Sequence, residues 1–142
     1  MPGLEDILQT WRNQKVERHF YRLSVAFAVF YEFQGPQWGH SSNYASVQIA
    51  AEPADDLAVD FLADLPAALD SDYRGKLARA VEIAAIDELF ASEWHPHRGC
   101  RLVFQKVGWD DVMGSEVAIY KAARGALTKL RQEGTWDLVA KR

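Results

Sequence analysis

YRGKLARAVEIAAIDELFASEWHPHRGCRLVFQKVGWDDVMGSEVAIYKAARGALTKLRQEG, residues 73–134, reads as helix, strand, helix, and the rest of the chain is organised around it. In its second helix Ile119, Ala123, Ala126, Leu127 and Leu130 recur at helical spacing, while Lys121, Arg124, Thr128 and Arg131 fill the opposite side. That is the pattern of a helix with one buried face. Ser115 offers a capping hydroxyl, Glu116 sits at the positive end, Lys129 and Arg131 sit near the negative end, and Gly134 is placed for a left-handed stop. Ala122, Ala123, Gly125 and Ala126 carry so little side chain that the helix backbone is expected to lie close to a sheet.

The first helix, residues 73–92, differs in being apolar on two sides, with Leu77, Ala80, Val81 and Ala84 on one and Ile83, Ile86, Leu89 and Phe90 on the other. Two neighbours are therefore expected. Between the helices, residues 101–107 run between Gly99 and Gly108 and mix Leu102 and Phe104 with Val103 and Val107, as a mostly buried strand does. A strand flanked by helices and glycine-marked turns predicts an α+β, two-layer sandwich.

With 142 residues and 49% hydrophobic content, the chain suffices for one core and is short for two ordinary domains. A net charge of -4 gives no global attraction to nucleic acid, which argues against binding driven by phosphate neutralisation alone. The charge is unevenly spread: no Lys or Arg occurs between Arg22 and Arg74, an interval holding Glu52, Asp55, Asp56, Asp60, Asp64, Asp70 and Asp72. One side of the molecule is expected to be acidic and the helical side more basic. The single Cys100 cannot form an internal disulfide, and neither a leader nor a long uncharged apolar span is visible, so the expected location is cytoplasmic with no membrane partner.

Upstream, Leu4, Ile7, Leu8 and Trp11 have the spacing of a short amphipathic helix, whose apolar face either folds back on its own domain or packs on another copy. Residues 22–33 place Leu23, Val25, Phe27, Val29, Tyr31 and Phe33 on one face in strict alternation, predicting one long strand. A Gly/Pro/Ser loop, residues 34–43, leads into a second strand at residues 44–52, where Ala45, Val47 and Ile49 alternate with Ser46 and Gln48, making a hairpin. Residues 57–65 alternate Val59, Phe61, Ala63 and Leu65 with Asp60 and Asp64, so the sheet should have one wet side. The expected division is an N-terminal helical extension over 1–20, an α+β domain over 21–134 and a tail over 135–142 offering a short edge segment.

These residues resemble domain IV of translation elongation factor G and its relatives over residues 44–134. The hairpin strand Tyr44-Ala45-Ser46-Val47-Gln48-Ile49-Ala50-Ala51-Glu52-Pro53, the helix entered from Asp72-Tyr73-Arg74, the strand and loop of residues 101–111, and above all Ser115-Glu116-Val117-Ala118-Ile119-Tyr120-Lys121-Ala122-Ala123 carry it. The resemblance implies a βββαβα unit with a left-handed crossover (ribosomal protein domain 2-like), an exception to the usual hand. It also implies an arm that reaches the decoding region of the small ribosomal subunit with two tip loops, here residues 34–43 and 108–114. Both loops depart from the family: Gly39, His40, Ser41 and Ser42 replace a Gly-Gly-Arg-Gly stretch, and Asp110 stands where the family tip has a histidine. No Gly-x-x-x-x-Gly-Lys-Ser/Thr phosphate loop occurs, so nothing here hydrolyses GTP.

The expected function is thus a non-enzymatic binding module, associated with the ribosome or RNA, without a cofactor. Its contact candidates are the tip residues Trp38, Gly39, His40, Trp109, Asp110 and Asp111, and the basic helix face Lys121, Arg124, Lys129 and Arg131, for which an ordinary solvated face is the competing reading. The alternative function is a self-associating domain that dimerises through the N-terminal helix and helix 73–92. His95, His97 and Cys100 are zinc-type ligand chemistry, but a fourth ligand is missing and their stretch reads as a helix-to-strand connection, so no metal site is assigned. His19 and His40 lie in no nucleophile motif, and Trp38, Tyr44, Trp94 and Trp109 either stack on a partner or cap core ends.

Overall fold

The computed structural model describes residues 3–15, 19–35, 44–91, 95–110 and 114–140, with side chains from residue 10 to 15 and at 140 left aside. The elements are α1 (Leu4–Lys15), β1 (His19–Leu23), β2 (Phe27–Gln34), β3 (Tyr44–Pro53), β4 (Ala58–Phe61), α2 (Ser71–Ala85), β5 (Cys100–Trp109), α3 (Glu116–Glu133) and β6 (Trp136–Ala140). β2, β3, β5 and β4 form one sheet in that order, with β4 parallel to β5 and the other pairs antiparallel; β1 and β6 form a separate antiparallel ribbon. The fold is therefore an α+β two-layer sandwich, as the central stretch predicts.

Alternation explains which face is covered. Val47, Ile49 and Ala51 of β3 and Leu102 and Phe104 of β5 are buried beneath Leu77, Val81 and Ala84 of α2 and Ala122, Ala123, Ala126 and Leu130 of α3. Complete burial of a residue such as Phe104 or Leu130 contributes about 2–3 kcal/mol, so this layer contact dominates stability. The small residues of α3 do let its backbone approach the sheet: a Cβ added at Gly125 would overlap the ring of Tyr31 on β2. The opposite face of the sheet carries Phe30, Glu52 and Arg101 into solvent.

The long strand expected at residues 22–33 is two strands. Ser24 leaves the sheet direction because its N–H donates to Thr135 O at 2.8 Å and its hydroxyl to Asp137 at 2.7 Å, so β1 pairs with β6 and β2 begins afresh at Phe27. Leu23 ends fully buried, whereas Val25, which alternation assigns to the same face, is 61% exposed. The tail segment accordingly forms a ribbon with β1 and does not extend the edge of the sheet. Gly99 bridges ribbon and sandwich, with its N–H donating to Tyr21 O and its carbonyl accepting from Leu23 N, both at 3.0 Å.

Helix ends follow side-chain chemistry. Asp70 accepts from Tyr73 N at 2.7 Å and Ser115 from Ala118 N at 3.0 Å, each satisfying an otherwise free amide. Gly134 is not left-handed: its φ is -69°, and glycine is required there because a Cβ would stand 2.6 Å from Leu130 O. The helix expected at 73–92 passes at Ala85 into a π-helical turn, Ile86–Phe90, closed by Ala91 N donating to Ile86 O at 3.0 Å. That turn reaches two neighbours. Leu89 joins the main core, while Ile86 and Phe90 are packed against Leu4, Ile7 and Leu8 of α1. α1 thus folds back on its own domain and covers the surface that the dimer reading assigned to it.

Candidate binding surfaces

The strand ends that flank both tip loops stand at one end of the sheet. Gln34 pairs with Tyr44 across the β2–β3 hairpin and Ala45 pairs with Trp109, so the connections 36–43 and 111–113 spring from adjacent strands. Strand β4 runs parallel to β5 toward this same end, so α2 and α3 both begin there and run side by side away from it. The β1/β6 ribbon lies at the other end, where β2 starts and β5 begins.

Trp109 is part of this end rather than a free loop aromatic. It is half-buried at the end of β5, its ring edge-on to Tyr73 at 6.2 Å, and Gly114 is needed because a Cβ would meet Asp110 O at 2.6 Å and the Trp109 ring. It therefore caps the core. Gly114 N donates to Asp110 O at 2.7 Å, closing the chain toward Ser115. Tyr44 donates to Glu32 at 2.9 Å, a bond that together with partial burial pushes its phenol above the usual range. Around the tip stand Asp70, Asp72, Asp110 and Glu116, with Arg74 turned inward to Leu69 O and Pro66 O. Trp38, Gly39, His40 and Asp111 lie outside the described residues, as does Trp94.

The basic helix face is not a stripe of four solvated cations. Glu88, in the π-helical turn and 4% exposed, accepts from Arg124 Nε at 2.9 Å, Thr128 Oγ1 at 2.7 Å and Arg131 Nη2 at 3.1 Å. Burial pushes the Glu88 carboxyl up, but the bonds from Thr128, Arg131 and Arg124 outweigh it and hold the group below the ordinary carboxylate range. Arg124 also donates to Tyr120 Oη at 2.8 Å, and Tyr120 in turn donates to Asp87 at 2.6 Å. Arg124 and Arg131 are thus committed inside the molecule. Lys121 and Lys129 lie over the rings of Phe33 and Tyr31, at 5.3 and 5.7 Å, beside the β2 edge. The sequence hint to this network was Glu88 itself, a carboxylate within the apolar run Ile86, Leu89, Phe90.

His95, His97 and Cys100 do not converge as ligands, and no metal-type cluster occurs among the described residues. His97 is buried, stacked on Tyr21 at 4.5 Å and edge-on to Trp136 at 4.8 Å. His95 meets the rings of His19 and Tyr21 instead, at 5.8 and 6.3 Å. Cys100 is fully buried and burial pushes its thiol up to about 12, which disfavours the thiolate a metal or a nucleophilic mechanism needs. These groups build the joint between ribbon and sandwich.

A surface that the sequence reading missed lies between α2 and α3. Lys76, Arg79, Ala80, Ile83, Glu116, Val117 and Tyr120 line a groove of about 310 Å³. Ile83 and Val117 are 40% and 52% exposed there.

No family model matches the chain, and no curated relative matches it. Among solved structures it is similar to ttk003000868 from Thermus thermophilus, with a TM-score of 0.65 and 18% identity over 84% of this chain and 18% of that one. The likeness bears on the fold alone, and the chain spans under a fifth of that protein's length. No helix among the described residues is long and apolar enough to cross a membrane.

Proposed function

We propose that the chain is a non-enzymatic binding module of the elongation factor G domain IV type, which meets the small ribosomal subunit through its tip. The observation that carries this reading is the adjacency of the strand ends flanking the two tip connections, at the end of the sheet opposite the β1/β6 ribbon. A module held by its ribbon presents that end outward. The basic helix face contributes less than its sequence suggests, because Arg124 and Arg131 answer Glu88. Since Asp70, Asp72, Asp110 and Glu116 surround the tip, the contact is not a cation stripe on phosphates, and binding should depend only weakly on salt.

Co-sedimentation with small ribosomal subunits over a salt series tests this. The expected result is binding that is present at low salt and does not weaken as salt rises, is abolished by Trp38→Ala/His40→Ala, and is retained by Lys121→Glu. Absence of binding at low salt, or loss caused by Lys121→Glu with the tip variant unaffected, overturns the reading.

A further inference from the structure

We infer that the groove between α2 and α3 is the contact face of a two-fold dimer, and that its occupant is a second copy of this chain. Ile83 and Val117 form an apolar strip left open to solvent, at 40% and 52% exposure. The cations Lys76 and Arg79 lie along the α2 side of the strip and the anion Glu116 along the α3 side. No ion pair of Lys76, Arg79 or Glu116 occurs among the described residues; Arg79 feels the charge of Glu82 along its own helix, and Lys76 and Glu116 keep theirs for an outside partner.

That arrangement restricts the occupant. An acidic helix would satisfy Lys76 and Arg79 but be repelled by Glu116, and a basic one the reverse. A second copy carries both signs in the required places. α2 and α3 run in the same direction from the tip, so a two-fold axis lying in the contact plane and parallel to the helices lays α2 of one copy over α3 of the other, running the same way. Lys76 and Arg79 of each copy then face Glu116 of its partner on either side of the axis, and Ile83 meets Val117 across it. The contact is self-complementary, as an isologous interface must be. It differs from dimerisation through α1, which is engaged with Ile86 and Phe90 of its own chain.

Sedimentation velocity over a concentration series is the test, with circular dichroism to confirm that each variant is folded. The wild type is expected to dimerise, and Val117→Asp, an exposed position, to raise the dissociation constant about 100-fold by placing unpaired charge in the strip. Lys76→Glu/Arg79→Glu and Glu116→Lys should each be monomeric alone, and an equimolar mixture of the two should recover a dimer by native mass spectrometry. A wild type that stays monomeric at high concentration, a dimer indifferent to Val117→Asp, or a mixture that fails to associate overturns the proposal.

Discussion

Arg131 approaches Glu88 side-on, with Nε and Nη2 both donating to Oε1, at 3.2 and 3.1 Å. Thr128 donates to that same oxygen at 2.7 Å, and Arg124 takes the other. One carboxylate from the π-helical turn thereby fixes the outer face of α3 against the end of α2.

Replacing Glu88 by Gln leaves two guanidinium groups facing a neutral amide. With Arg131 18% and Arg124 37% exposed, solvent tempers the loss, and about 2 kcal/mol of stability is expected to disappear in urea denaturation at neutral pH.

The same carboxylate sets an acid limit. Its folded-state value lies below the ordinary 4.5, so its stabilisation is fully present above that value and is lost as pH falls through the lower, folded one. Wild-type stability should fall more steeply than that of Glu88→Gln below about pH 4.5, with the two curves converging in strong acid. Parallel curves would remove Glu88 from the acid response.

Gly125 sits in the interior of a helix, where Ala ordinarily gains about 1 kcal/mol. Here the added methyl overlaps the Tyr31 ring, so Gly125→Ala should be neutral to mildly destabilising and Gly125→Val should cost about 2–3 kcal/mol. Thermal denaturation of the pair reads both signs; a stabilised Gly125→Ala would mean that Tyr31 moves aside freely.

Gly99→Ala is expected to cost about 3 kcal/mol, because the methyl would stand 2.6 Å from the Arg22 Cα and neither backbone can yield without breaking the bonds to Tyr21 and Leu23. Hydrogen exchange should show the amides of Leu23 and Gly99 losing protection before those of β3.

Cys100 has its thiol pushed up to about 12 by burial, above an ordinary value near 9.0. The unfolded chain releases that proton first, so the contribution is intact below about pH 9 and is lost as pH rises toward 12. Cys100→Ala should lack this alkaline loss, and a thiol reagent should modify the wild type at neutral pH only at the rate of opening.

How much of this was legible depends on the range of the interactions. The sandwich was readable from α3 and β5 because Ile119, Leu127 and Leu130, or Leu102 and Phe104, repeat with local periods that report their own burial. The break at Ser24 was not, because it depends on Thr135 and Asp137 at the far end of the chain. Likewise Arg124 and Arg131 read as solvated on α3 alone; only the π-helical turn brings Glu88 to them. Of the proposed contacts, the tip's location follows from strand order, whereas the α2–α3 groove depends on the spacing of two helices and leaves no local period.

In the β1/β6 ribbon His19 faces Ala140 and Leu23 faces Trp136, so the polypeptide enters and leaves the sandwich side by side. Tension drawn between β1 and β6 would load these rungs one at a time from the open end, as a zipper is drawn, and would reach the start of β5 through the Gly99 bonds to Tyr21 and Leu23. The ribbon therefore works as a mechanical fuse whose last rung, Leu23, is the one tied to the sandwich through Gly99.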